Sequence, residues 1–182
     1  MNRATCGLSA VLVALLSTAA NAAQCGTVDS NSPEAVKEEV NRLYNKTLDA
    51  TEYVLPSGTK AATWVGWEPS TQDQIACLGP AAVPPTAELL RSPARPFGRF
   101  LAVHMLGWEG GPDIVPPLAA VLARPSNPEK LDYVKLAALE ALTAAPPDRA
   151  LPVVEQVLRS EENRDLLKAA AGVKARLTHS GD

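Results

Sequence analysis

The stretch IVPPLAAVLARP, Ile114 to Pro125, has a near-copy 32 residues earlier in AVPPTAELLRSP, Ala82 to Pro93. A weaker echo, ALPVVEQVLRSE, runs from Ala150 to Glu161, 36 residues later. Aligning the three exposes a longer unit. Leu106-Gly107 precedes Val115-Pro116-Pro117, Leu78-Gly79 precedes Val83-Pro84-Pro85 with four fewer residues between, and Leu142-Thr143 precedes Leu151-Pro152. Each unit reads as one helix ending near Leu-Gly, a short turn, and a second helix beginning near the proline. A fourth first helix, Asn163 to Leu177, closes the series.

The prolines set the phase of this reading. A helix leaves its first four N–H groups without internal partners, so proline there sacrifices no hydrogen bond. With Asp113 as the N-cap, Pro116 and Pro117 fall at the third and fourth helical positions and mark a helix start. In mid-helix each would cost about 3 kcal/mol. One such hairpin cannot bury its apolar face alone, and stacking neighbours buries a continuous core, which is why the pattern recurs. Arg99, Ala102, Val103 and Leu106 align at a spacing of 36 with Lys135, Ala138, Leu139 and Leu142, giving the first helices a shared stripe. The expected fold is all-α: a short α-solenoid preceded by an N-terminal helix and a segment that is either a hairpin or an irregular crossing. Lys168, Lys174 and Arg176 are the expected polar cap of its last helix.

The segment RFLAVHMLGWEGGPDIVPPLAAVL, Arg99 to Leu122, resembles the HEAT-like repeats of bacterial proteins, of the type named after phycobilisome lyases. The shared features are an Arg-x-x-Ala first helix, the Leu-Gly stop, a Gly-containing turn and the Val-Pro-x-Leu start of the second helix. The resemblance covers roughly Ser70 to Leu177. It implies stacked helical hairpins and protein–protein binding. It does not carry over a pigment-lyase activity, for which no motif is present.

The first residues indicate a compartment. Arg3 is followed by the apolar run LSAVLVALL, Leu8 to Leu16, and then by Ala20-Asn21-Ala22, the small-x-small form of a signal-peptidase site. Residues 1–23 therefore read as a secretory signal peptide, cleaved near Ala22 or Ala23 and too short to anchor. The expected address is periplasmic or secreted. Residues 24–69 hold the N-terminal helix and crossing segment, 70–178 the repeats, and 179–182 a tail. Ser32-Pro33-Glu34 reads as a helix start, with apolar positions recurring at helical spacing to about Leu48. EYVLPSGTKAATWVGW, from Glu52, flanks Pro56-Ser57-Gly58 with β-branched and aromatic residues.

Losing the leader removes Arg3 from the 17 basic residues and none of the 20 acidic ones, a net charge of −4. No basic field for nucleic acid follows, and no second apolar run that would span a membrane. Cys6 leaves with the leader; Cys25 and Cys77, in an oxidising compartment, most simply form one disulfide. That bridge would close a loop of about fifty residues and stabilise by roughly 2–4 kcal/mol.

Catalytic chemistry is sparse. Of the two histidines, His179 lies near the end and His104 aligns with Glu140 on the polar side of a first helix, where a surface histidine is expected. No Cys/His cluster has zinc spacing, and no phosphate loop or nucleophile elbow appears. Neither a cofactor, a metal nor an enzyme is expected. The remaining candidates are surfaces. Solvent-side positions of the second helices align as Glu88, Ala120 and Gln156, then Arg91, Ala123 and Arg159. Trp108, just after a first helix, either anchors a partner or caps the core. The sequence thus points to a protein-binding or scaffold module whose candidate contacts are Glu88, Arg91, Trp108, Gln156 and Arg159. The alternatives are an immunity-type inhibitor of an envelope toxin and, further off, an enzyme with an unrecognised site.

Overall fold

A computed structural model describes residues 28–54, 60–62, 69–91 and 97–179. The leader-like first residues, Cys25, Pro56-Ser57-Gly58, Trp64 and Trp67 lie outside them. Among the described residues the chain is all-helical apart from one two-stranded excursion.

Helix α1 spans Pro33–Thr51. Ser32 Oγ accepts the Ala35 N–H at 3.3 Å and caps its start, and Val36, Val40, Leu43, Tyr44 and Leu48 bury one face. Strands β1 (Glu52–Val54) and β2 (Lys60–Ala62) then pair antiparallel, with Tyr53 opposite Ala61. The remaining helices are α2 (Pro69–Leu78), α3 (Val83–Leu89), α4 (Gly98–Glu109), α5 (Val115–Leu122), α6 (Tyr133–Ala141), α7 (Pro147–Ser160) and α8 (Arg164–His179). Helix α4 packs on α2 and α6, and α6 in turn on α8; α5 packs on α7. Each of α3, α5 and α7 also lies against the following helix, α4, α6 and α8 respectively. One apolar core runs through the series, from Val36 to Leu177. Helices α4 and α6 run parallel: Gly107 approaches Ala141, and three to four residues on, the Gly111 N–H donates to the Ala144 carbonyl at 3.0 Å.

The aligned stripe is the core contact. Ala102, Val103, Leu106, Ala138, Leu139 and Leu142 are all fully buried. Two boundaries differ from the sequence reading. Helix α2 does stop at Leu78, with Gly79 at φ 58°, but α4 runs through Leu106-Gly107 to Glu109 and stops at Gly110, φ 67°. Gly107 is instead a packing glycine: a Cβ there would stand 3.1 Å from the Ala141 Cβ. Nor does Asp113 cap α5. A 3-10 turn, Pro112–Ile114, leads directly into the helix, and Pro116 and Pro117 fall in its first turn. In the third unit that lead-in is already α-helical, so α7 begins at Pro147 and holds Pro152 inside. The bond lost there would have ended on the carbonyl of exposed Asp148, where water can replace it.

The expected cap of α8 is also thinner than the sequence suggested. Lys174 turns back to Glu155 at 2.8 Å and Arg176 to Glu140 at 2.7 Å, each tying α8 to a helix already in the stack.

Candidate interaction surface

Because α3, α5 and α7 bury one side on the core, the aligned positions opposite are left to solvent. Glu88, Ala120 and Gln156, and beside them Arg91, Ala123 and Arg159, are all exposed. The buried neighbours that set this phase are Thr86 and Leu90 on the first unit, Leu118 and Val121 on the second, and Val154 and Val157 on the third. The ridge is small in its middle and charged at both ends. At one end Glu88 bonds Lys37 of α1 at 2.8 Å, and that hydrogen bond and charge hold the Glu88 carboxyl below its ordinary range. Helix α1 therefore reaches the ridge, a contact no repeat alignment contains. At the other end Arg159 lies beside Glu155, itself held by Lys174.

No family model, no curated protein and no solved structure matches this chain.

Trp108 does not stand with the ridge. It is half-buried against the core, the last of three rings one helical turn apart on α4. Phe100 meets His104 edge-on at 4.5 Å between centroids, and His104 lies 6.5 Å from Trp108. His104 is accordingly half-buried rather than the surface histidine expected. Burial pushes it down to about 4, against the opposing pull of Glu140, and it is neutral at pH 7. Residues 104, 140 and 176 are equivalent positions on α4, α6 and α8; Glu140 influences His104 on one side and bonds Arg176 on the other.

Two buried polar sites could be mistaken for chemistry. In the first, Lys135 of α6 donates from Nζ to Glu161 Oε2 at 3.0 Å and to Ser126 Oγ, while Ser126 donates to the same Glu161 oxygen at 2.7 Å. A hydroxyl beside a lysine suggests a nucleophile and its base. The lysine is not placed to take the serine's proton, because its Nζ donates to both Ser126 and Glu161 and the serine's own proton goes to Glu161. Burial works against the Glu161 charge, but the N–H groups of Asn163 and Glu162 together with Ser126 and Lys135 outweigh it and hold the carboxyl at about 2. The cluster is a clasp between units. Asn163 completes it, donating to the carbonyls of Asn127, Pro128 and Lys130 and accepting the Asp165 and Leu166 N–H groups at the start of α8. Arg99, aligned with Lys135, performs the simpler version and donates to the Leu90 carbonyl at 3.1 Å.

The second site is Glu109, the last residue of α4. Its Oε1 lies 2.5 Å from Thr86 Oγ, and its Oε2 is buried with no hydrogen-bond partner among the described residues. Thr86 also bonds the Ala82 carbonyl at 2.8 Å. A hydroxyl carries one proton, and a carbonyl can only accept. Thr86 therefore gives its proton to Ala82 and accepts one from Glu109, which must be the neutral acid. Burial, which pushes this carboxyl up to about 8, agrees with that count, as does its place at a helix C-terminus, where a negative charge is disfavoured.

Sequence reasoning missed both sites. For Lys135 a signal existed, a cation inside an otherwise apolar aligned stripe. Glu109 left none, because its equivalent 36 residues on is Ala145. Among the described residues no group of His, Cys, Asp and Glu could hold a metal ion, and no helix is long and apolar enough to cross a membrane.

Proposed function

We propose that this chain is an exported, short α-solenoid of HEAT-like hairpins that binds another protein along the ridge of its second helices. The observation that carries the reading is the exposure of all six aligned ridge positions, Glu88, Ala120, Gln156, Arg91, Ala123 and Arg159, on or just after helices that bury their opposite side in the core. Small residues in the middle let a partner approach the backbone, and the flanking charges supply direction and specificity. The buried polar sites belong to the framework that holds this ridge. Cross-linking in the native envelope fraction, read by mass spectrometry, is expected to give one dominant partner at near-equal amount. Joint Arg91→Glu and Arg159→Glu substitution should reduce that capture at least tenfold while leaving the fold intact. Capture unaffected by the substitutions, or no partner under several conditions, would remove the ridge as the binding site.

Export is supported by the leader-like first residues, and a Cys25–Cys77 bridge belongs to the same proposal. Cys77 is half-buried one residue before the end of α2 and is not without a bonding partner. Reductant should lower the melting temperature of the purified protein by several degrees, from a loss of roughly 2–4 kcal/mol. An unchanged melting temperature would mean that the thiols are unpaired or that the bridge is unimportant to stability.

A further inference from the structure

The first and last helices of the series expose faces that complement each other. On α8, Leu166, Ala170, Val173 and Leu177 are buried, and the opposite face presents Arg164, Lys168, Ala171 and Ala175 to solvent. Gly172 beside them has open space where a side chain would stand. The neighbouring cations Lys174 and Arg176 are spent on Glu155 and Glu140 within the chain. On α1 the face opposite Val36, Val40 and Leu43 presents Glu34, Glu38, half-buried Asn41 and Asn45. The neighbouring cations Lys37 and Arg42 are likewise taken, by Glu88 and Glu39.

Both faces follow the same helical spacing, with charge at the first position and four on, then neutral side chains seven and eleven on. Laid parallel, Glu34 meets Arg164, Glu38 meets Lys168, and the asparagines lie over Ala171 and Ala175, where small side chains allow close approach. An antiparallel arrangement would match the charges but leave the rest of α8 uncovered. Parallel is also the sense in which α4 and α6 stack. Asp165, the one acid near the basic face, falls about a quarter turn away.

We propose that this protein associates head to tail, the exposed face of α8 in one copy packing in parallel on the exposed face of α1 in the next. The two faces lie at opposite ends of the helix series and differ from each other. The contact is therefore heterologous and continues into an open chain or a ring of more than two copies rather than closing a dimer. The ion pairs are solvent-exposed, so association weakens with salt.

Sedimentation velocity of the purified protein across a concentration series tests this. In low salt the weight-average mass should rise past twice the monomer and fall back as salt is added. A copy carrying Arg164→Glu and Lys168→Glu, and another carrying Glu34→Lys and Glu38→Lys, should each bind at least tenfold more weakly to itself. Mixed, they should associate again, because each reversed face meets a reversed partner. Circular dichroism of each reversed protein verifies that these surface changes leave it folded. A monomer at every concentration, a mass that stops at the dimer, or association indifferent to the reversals would each overturn the proposal.

Discussion

Glu109→Gln should make this protein more stable at pH 7, by about 3 kcal/mol, although it adds no contact. The carboxyl is neutral in the fold up to about pH 8, whereas in the unfolded chain it ionises near 4.5. Between those values the folded state holds a proton that the unfolded state has released. Stability therefore falls as pH rises from 4.5 to 8 and is level beyond. At pH 7 the accumulated loss is about 2.5 pH units at about 1.36 kcal/mol each. Glutamine keeps the donor to Thr86, cannot ionise, and escapes the loss. On a chain of this size the melting temperature at pH 7 should rise by roughly 10 °C. The decisive reading is the difference between the two proteins, since His104 contributes to both alike. It should vanish near pH 4 and grow to pH 8. A difference independent of pH would mean that Glu109 is ionised in the fold.

Lys135→Met should do the reverse, lowering stability by about 3–5 kcal/mol in a denaturant titration. Side-chain exposure at Lys135 and Glu161 is only 4% and 7%, so removing the cation leaves a carboxylate with little water. The double change Lys135→Met with Glu161→Gln should recover part of the loss, because no uncompensated charge then remains. Full additivity of the two single effects would show that the pair does not act as a unit. Acid supplies a further check on the sign. Glu161 is held at about 2, below its unfolded value, so its stabilisation is present above the usual carboxylate range and is lost as pH falls through that range towards 2.

These two residues mark where sequence reading stops. The recurring Val-Pro-Pro and the aligned stripe made the helices legible, because apolar periodicity is a direct record of which face is buried. Helix ends were less so. Leu78-Gly79 and Leu106-Gly107 look alike as letters, yet only Gly79 takes the left-handed backbone; Gly107 is needed for the approach of Ala141. The ridge positions could be placed because solvent-side phase follows from the same periodicity. The Lys37–Glu88 pair could not, since it joins residues 51 apart across elements with no shared repeat. Glu109 was hidden for a different reason: a protonation state depends on who else needs the proton, and that is a property of the assembled site.

The second helix of each unit rests on the first helix of the unit after it. The letters repeat as α2–α3, α4–α5 and α6–α7, but the bodies that hold together are α3–α4, α5–α6 and α7–α8. An engineer shortening or lengthening this chain at the written repeat boundaries would cut through packed pairs. Grafts joined between α4 and α5, or between α6 and α7, would instead keep those pairs whole and part only the stacking of one pair on the next.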